Sequence, residues 1–186
     1  GYVKNIYANE LFKFEPEEVR KYFTVTHLMN GFFDIFSTLY KIKFTPIDNE
    51  TLWNPDVKAF TVTGENDTPM GKIYFDLYLR EQKQQGAWMM SCIDRELSSD
   101  GELTLPVVYV VCNAPKDAGQ EPTLSFDEVN TFFHEMGHAF HQLLTKINFS
   151  HYSGLNNVQK DAIELPSQFM ENFIYDYEVI KKITCH

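Results

Sequence analysis

His134-Glu135-Met136-Gly137-His138, within the stretch Ser125 to Leu144, decides how this chain is read. On an α-helix, histidines four residues apart are offset by about 40° around the axis and about 6 Å along it, so both imidazoles can reach one metal ion. Glu135 points about 100° away from His134, a poor position for a third ligand and a good one for holding a water. The flanks predict the helix. Ser125-Phe126-Asp127-Glu128 has the form of a capping box, and no proline follows until Pro166. Phe126, Val129, Phe132, Phe133, Met136, Phe140, Leu143 and Leu144 recur mostly at three- and four-residue steps. Gly137 lies between the two histidines at a helix cost of about 1 kcal/mol relative to Ala, and its missing side chain admits a second backbone or a substrate.

Three of the six histidines, His134, His138 and His141, fall within eight residues and align along one helix, which speaks against ordinary half-buried histidines. His141 lies about 20° to the other side of His134 and a further turn along, and reads either as a residue behind the ligands or as packing. Structural zinc takes four protein ligands, often with cysteine, whereas catalytic zinc takes three and keeps one position open. Cys92, Cys112 and Cys185 are far apart and form no C-x-x-C, so a catalytic site is expected. Downstream, Asp161 to Phe173 reads as a second helix opened by Asp161, on which Glu164, Gln168 and Glu171 share a face. Such a face is usually just solvated. Two neutral imidazoles with one carboxylate, however, form a standard catalytic zinc set.

These residues, with Tyr152-Ser153-Gly154 and the run Glu164-Leu165-Pro166-Ser167-Gln168-Phe169-Met170-Glu171-Asn172, resemble the thimet oligopeptidase family of zinc peptidases. Trp53 to Val57, Tyr74 to Glu81, Gly86 to Met89 and Leu105 to Val108 are similar to that family too, so the resemblance covers nearly the whole chain. It implies one Zn2+ per chain held by His134, His138 and Glu164, with Glu135 as general base. It also implies that Glu171 orients a ligand imidazole. The implied substrates are short peptides cleaved internally by a metal-activated water, without an acyl-enzyme. The implied fold is α+β and zincin-like, a small sheet followed by the helix bearing the motif and a second helix bearing the glutamate. Family members are several times longer, and their catalytic region continues into a segment with a histidine and tyrosines that contact substrate. The chain, running from Gly1 to Thr184-Cys185-His186, is therefore expected to be a piece of a larger enzyme whose remainder is its partner. The alternative expectation is a zinc-binding piece that catalyses nothing by itself.

Sixteen basic against twenty-six acidic residues give a net charge of −10, which disfavours nucleic acid and anionic membranes while tolerating cationic peptides. The longest apolar run, about Leu103 to Cys112, is too short to span a bilayer, and the first residues show no signal-peptide pattern. Three cysteines without a disulfide pattern fit a reducing, cytoplasmic setting.

A single partial catalytic domain is expected, mainly helical over 1–48, β-rich over 49–124, and carrying the zinc-binding helices over 125–186. Glu17 to about Ile42 reads as helix with Leu28, Phe32, Phe36, Leu39 and Tyr40 as a core stripe. Strands are predicted at Val57 to Thr63, Lys72 to Leu79, Ala87 to Ile93 and Leu103 to Cys112, with a turn from Gly64 to Gly71 and a loop from Asn113 to Pro122. The strand Leu103 to Cys112 is either a plain buried strand or, by likeness to zincins, the edge on which extended substrate pairs. Arg80, Glu81 and Lys83 either meet substrate or form a solvated charge cluster.

Overall fold

Thr24 interrupts what the periodicity presents as one helix. The computed structural model describes residues 16–116 and 119–185; residues 1–15 of the expected helical segment, two residues of the 113–122 loop, and His186 lie outside the described residues. Helix α1 spans Pro16–Arg20 and helix α2 spans Val25–Tyr40. Between them Thr24 is extended, bridges to Thr123, and accepts the His27 backbone N–H on its hydroxyl. A Thr N-cap of this kind is worth about 1 kcal/mol and starts a new helix rather than continuing the old one. Leu28, Phe32 and Phe36 are buried as expected, whereas Leu39 is half exposed and falls outside the core stripe.

The strands follow as β1 (Lys43–Pro46), β2 (Lys58–Thr63), β3 (Pro69–Tyr78), β4 (Trp88–Ile93), β5 (Glu96–Leu97), β6 (Leu103–Thr104) and β7 (Val107–Ala114). Five of them form one sheet in the order β1-β2-β3-β7-β4, in which only the β3–β7 pair is parallel. The expected strand Leu103 to Cys112 is divided in two by Pro106, which has no N–H to give to a ladder. Its first residues pair with β5 in a small ribbon; the rest is the interior strand β7, with Val108 and Val110 fully buried. The edge reading of this strand is thereby corrected. The sheet's edges are β1 and β4, and β4, the edge that packs against the motif-bearing helix, has no strand partner on its outer side among the described residues.

Helix α3, Phe126–Leu143, lies against β7, β4 and β3, and helices α4 (Leu165–Glu171) and α5 (Tyr177–Ile183) follow it. The core between α2, α3 and the sheet is phenylalanine-rich. Phe32 stands 5.3 Å, centroid to centroid, from both Phe132 and Phe133 and 4.3 Å from Phe36, all four rings being buried. Each contributes about 1.5–3 kcal/mol by burial, and truncating one to Ala costs about 3–5 kcal/mol.

Of the charges after β3, Glu81 is exposed, Arg80 is half-buried and paired to Asp76, and the Lys83 side chain is buried. The Lys83 side chain is 4% exposed, and its ammonium lies 2.5–3.0 Å from the Asp76 carboxylate and the backbone oxygens of Asp76, Tyr78 and Cys112. It thus ties β3 to β7 where their pairing slips between Asp76 and Tyr78. Arg80 meets Asp76 with two parallel hydrogen bonds of 2.6 and 2.7 Å, and the Trp53 indole N–H adds a third at 3.0 Å. Burial pushes the Asp76 pKa up, but these donors outweigh it and hold the carboxyl down at about 2.

Candidate metal centre

Helix α3 begins as its sequence dictates. The Ser125 hydroxyl accepts the Glu128 N–H at 3.2 Å while the Glu128 carboxylate accepts the Ser125 N–H at 2.7 Å, a complete capping box. Arg20 of α1 donates to the same carboxylate at 2.9 Å. The helix then runs unbroken through the motif. The His134 and His138 rings lie 5.0 Å apart, edge to face, on one side of it.

The third group comes from the cap position of α4. Asp161, expected to open this helix, lies in the preceding turn; regular helix starts at Leu165, with Pro166 in its first turn and Glu164 at the cap position. Proline is tolerated there because the first N–H groups of a helix have no internal partner. Glu164 Oε2 is 3.2 Å from His134 Nε2 and 3.1 Å from His138 Nε2, and all three atoms lie within 4.8 Å of one another. Donors bound at about 2.0–2.1 Å to one tetrahedral ion stand about 3.3 Å apart, so this cradle fits a metal such as zinc. The donor chemistry fits as well. Burial lowers the His138 pKa and favours the neutral, ligating imidazole, while the Ser167 hydroxyl keeps Glu164 ionised.

Two of the three groups are held from behind, whereas His138 Nδ1 is buried with no hydrogen-bond partner among the described residues. His134 Nδ1 meets Glu171 Oε1 at 2.6 Å, and Asn130 donates to the other Glu171 oxygen at 3.4 Å. The Ser167 hydroxyl, fully buried, contacts Glu164 Oε2 at 2.8 Å and the Glu164 carbonyl at 2.9 Å. Gly137, in the turn of sequence between His134 and His138, leaves room for the first turn of α4 to rest directly on α3. Glu135 is 8% exposed and its carboxylate meets the Met89 backbone N–H of β4. Its pKa is raised by burial, against the pull of His134 and of the Met89 backbone N–H.

The match to the family model named peptidase family M3 runs over residues 1–186, the whole chain. The chain belongs to peptidase family M3. It is 38% identical to oligopeptidase A of Haemophilus influenzae and to that of Escherichia coli, over 187 residues that include all of this chain and 28% of each relative. Saccharolysin of Saccharomyces cerevisiae is 31% identical over 193 residues, which include all of this chain and 27% of that protein. The M3 chain therefore spans little more than a quarter of the length of these relatives.

His141 of the M3 chain stands away from this set, in a hollow lined by Tyr40, Phe140, Leu144, Phe169 and Met170. Its Nδ1 is buried and has no hydrogen-bond partner among the described residues. The three cysteines are free, Cys92 being exposed. Sequence reasoning missed Ser167 and Asn130, and the only signals were their spacings: Ser167 three residues after Glu164, and Asn130 four before His134. No helix among the described residues is long and apolar enough to cross a membrane.

Proposed function

We propose that this M3 chain carries the metal site of a zinc-dependent endopeptidase acting on short peptides, with His134, His138 and Glu164 holding the zinc and Glu135 as general base. One juxtaposition supports the reading most. Three donor atoms converge on a point beside the Glu135 carboxylate, and the open edge of β4 passes the same carboxylate at Met89. Zinc held there supplies Lewis acidity, bringing the pKa of water towards about 7 and polarising a carbonyl.

The residues of the chain do the rest. The β4 edge offers unpaired backbone groups to an extended peptide, so recognition rests on main-chain hydrogen bonds rather than on one side chain. Glu135 accepts a proton from the attacking water and returns it to the leaving amine. Burial lifts its pKa toward a working base and keeps competing water away. Glu171 fixes the His134 ring through Nδ1, which leaves Nε2 free to ligate. The free cysteines and the net charge of −10 support a cytoplasmic setting and exclude nucleic acid from the proposed partners, which are short peptides and the rest of the enzyme.

The reading is tested by loading the chain with zinc and following a quenched peptide. Hydrolysis that disappears in Glu135→Gln while zinc stoichiometry holds at one supports the peptidase; loss of zinc binding in the unaltered chain removes it. The chain's short span relative to its relatives favours a second reading, a zinc-binding piece inert by itself. That reading expects one zinc and no hydrolysis, with activity appearing only in a chain of the relatives' full length.

A further inference from the structure

Beyond the metal, one polar network, centred on a buried amide, joins the helix that carries the motif to the strand that offers the edge. Gln142 lies one turn past His138 on α3 and is fully buried, yet both ends of its amide are satisfied. Its Nε2 donates to Asp94 Oδ1 at 2.8 Å, just past the end of β4, and its Oε1 accepts the Leu155 N–H at 2.9 Å. Asp94 collects two more donors, Asn156 Nδ2 at 2.8 Å and the Ser91 hydroxyl at 2.7 Å. Gly154, with φ +59°, is where the chain passes the amide: a Cβ at that position would lie 1.9 Å from Gln142 Oε1. The Tyr152-Ser153-Gly154 stretch therefore has a physical role that the proposed chemistry does not use.

The network sits where the strand must be re-aimed. The β4–β7 register slips between Ser91 and Ile93, a bulge that bends the strand at its end. Beyond it, Arg95 donates to Asn148 Oδ1 at 2.8 Å, and the Leu97 N–H donates to the Asn148 carbonyl at 2.9 Å. These contacts stitch the end of the edge to the turn that follows α3. An edge strand is paired on one side only, so these contacts add to the packing of α3 on β4 and the Glu135–Met89 bond in setting its height above the helix.

We propose that Gln142 and Asp94 are positioning residues that fix the β4 edge relative to the metal helix, so that a peptide paired on β4 lies within reach of the metal site. This rests on the peptidase reading above. A buried amide donating to a carboxylate in place of water is a charge-assisted bond, so breaking it moves the strand rather than merely exposing a side chain.

The test compares two probes on the zinc-loaded chain: acetohydroxamate, which needs only the metal, and a tripeptide hydroxamate, which also needs the edge. Gln142→Glu sets a carboxylate against Asp94, and Asp94→Asn sets an amide against Asn156. Each should weaken the peptide probe by about tenfold while acetohydroxamate changes by less than about twofold. The double variant Gln142→Glu/Asp94→Asn exchanges donor and acceptor at constant net charge and should restore the peptide probe to within about threefold of the original. A merely structural role would instead weaken both probes together. Equal response of the two probes, or no rescue by the exchange in a folded double variant, overturns the inference and leaves the metal reading standing. If the unaltered chain binds neither probe, the metal reading falls and takes the inference with it. Should Gln142→Glu not fold, Asn156→Ser, which withdraws one donor from Asp94, carries the same comparison.

Discussion

Gly137 and Ser167 meet backbone to backbone: a Cβ on Gly137 would lie 2.4 Å from Ser167 Cα and 2.6 Å from the Pro166 carbonyl oxygen. The two helices that supply the three converging donor groups thus touch at the one residue of α3 that has no side chain, between His134 and His138 in sequence. Glu164 is three residues before Ser167, so the height of this contact sets how far its carboxylate reaches.

Gly137→Ala therefore sets two effects against each other. Alanine favours the helix by about 1 kcal/mol, but a methyl forced into this contact costs about 1–3 kcal/mol or moves α4 outward. The clash is expected to win. Zinc affinity, measured by competition with a chromophoric chelator, should fall at least about tenfold while the far-ultraviolet circular dichroism stays native. Unchanged affinity would mean that α4 does not depend on this contact.

Glu171→Gln keeps an acceptor for His134 Nδ1 but removes the charge that sits 2.6 Å from it. Metal affinity or activity should drop by about 10–100-fold, in line with the loss of a carboxylate behind a ligating imidazole. The same titration checks it, and a change below twofold would remove Glu171 from the site.

Zinc should stabilise the fold without being required for it, because the phenylalanine core lies on the far side of α3 from the metal-binding groups. At a free concentration of 100 times Kd the ion adds about 2.7 kcal/mol, and a chain of this size gains roughly 5–10 °C in Tm. Removal by a chelator should reverse the gain. Glu164→Gln should show little of it, and an equal shift in that variant would place the ion elsewhere.

Asp76 predicts an acid dependence away from the metal. Its folded pKa is about 2, below the ordinary carboxylate value of 3.8, so its contribution is fully present above the unfolded pKa and is lost as pH falls through the folded one. Asp76→Asn leaves the Lys83 ammonium buried and without its counter-charge, and should cost about 3–5 kcal/mol at pH 7 in urea unfolding. The difference between the two proteins should narrow between pH 4 and pH 2. A constant difference across that range would show that packing, not charge, makes Asp76 matter.

The local order of the α3 helix was legible in the chain because its signals are local. A Ser and a Glu three residues apart bond within one turn, apolar residues at three- and four-residue steps must share a face, and histidines four apart must be neighbours. That Glu164 completes the set came from likeness to a family, and spacing alone left Glu171 equally eligible. The start of α4 was misread at Asp161 because a capping residue and a first-turn proline both announce a helix, and only the packing of Pro166 and Ser167 on Gly137 selects between them. The fates of Lys83 and of the Leu103 to Cys112 run were likewise undecided. A lysine's burial depends on carbonyls contributed by two separate strands, and an apolar strand reads alike whether one neighbour or two flank it. Sequence by itself determined the α3 helix, its apolar face and the neighbouring imidazoles of His134 and His138, since these follow from bonds and steps within a few residues. Tertiary structure alone decided which strand forms the edge beside α3, which carboxylate reaches both imidazoles and which buried amide ties helix to strand, because each depends on contacts between segments far apart along the chain.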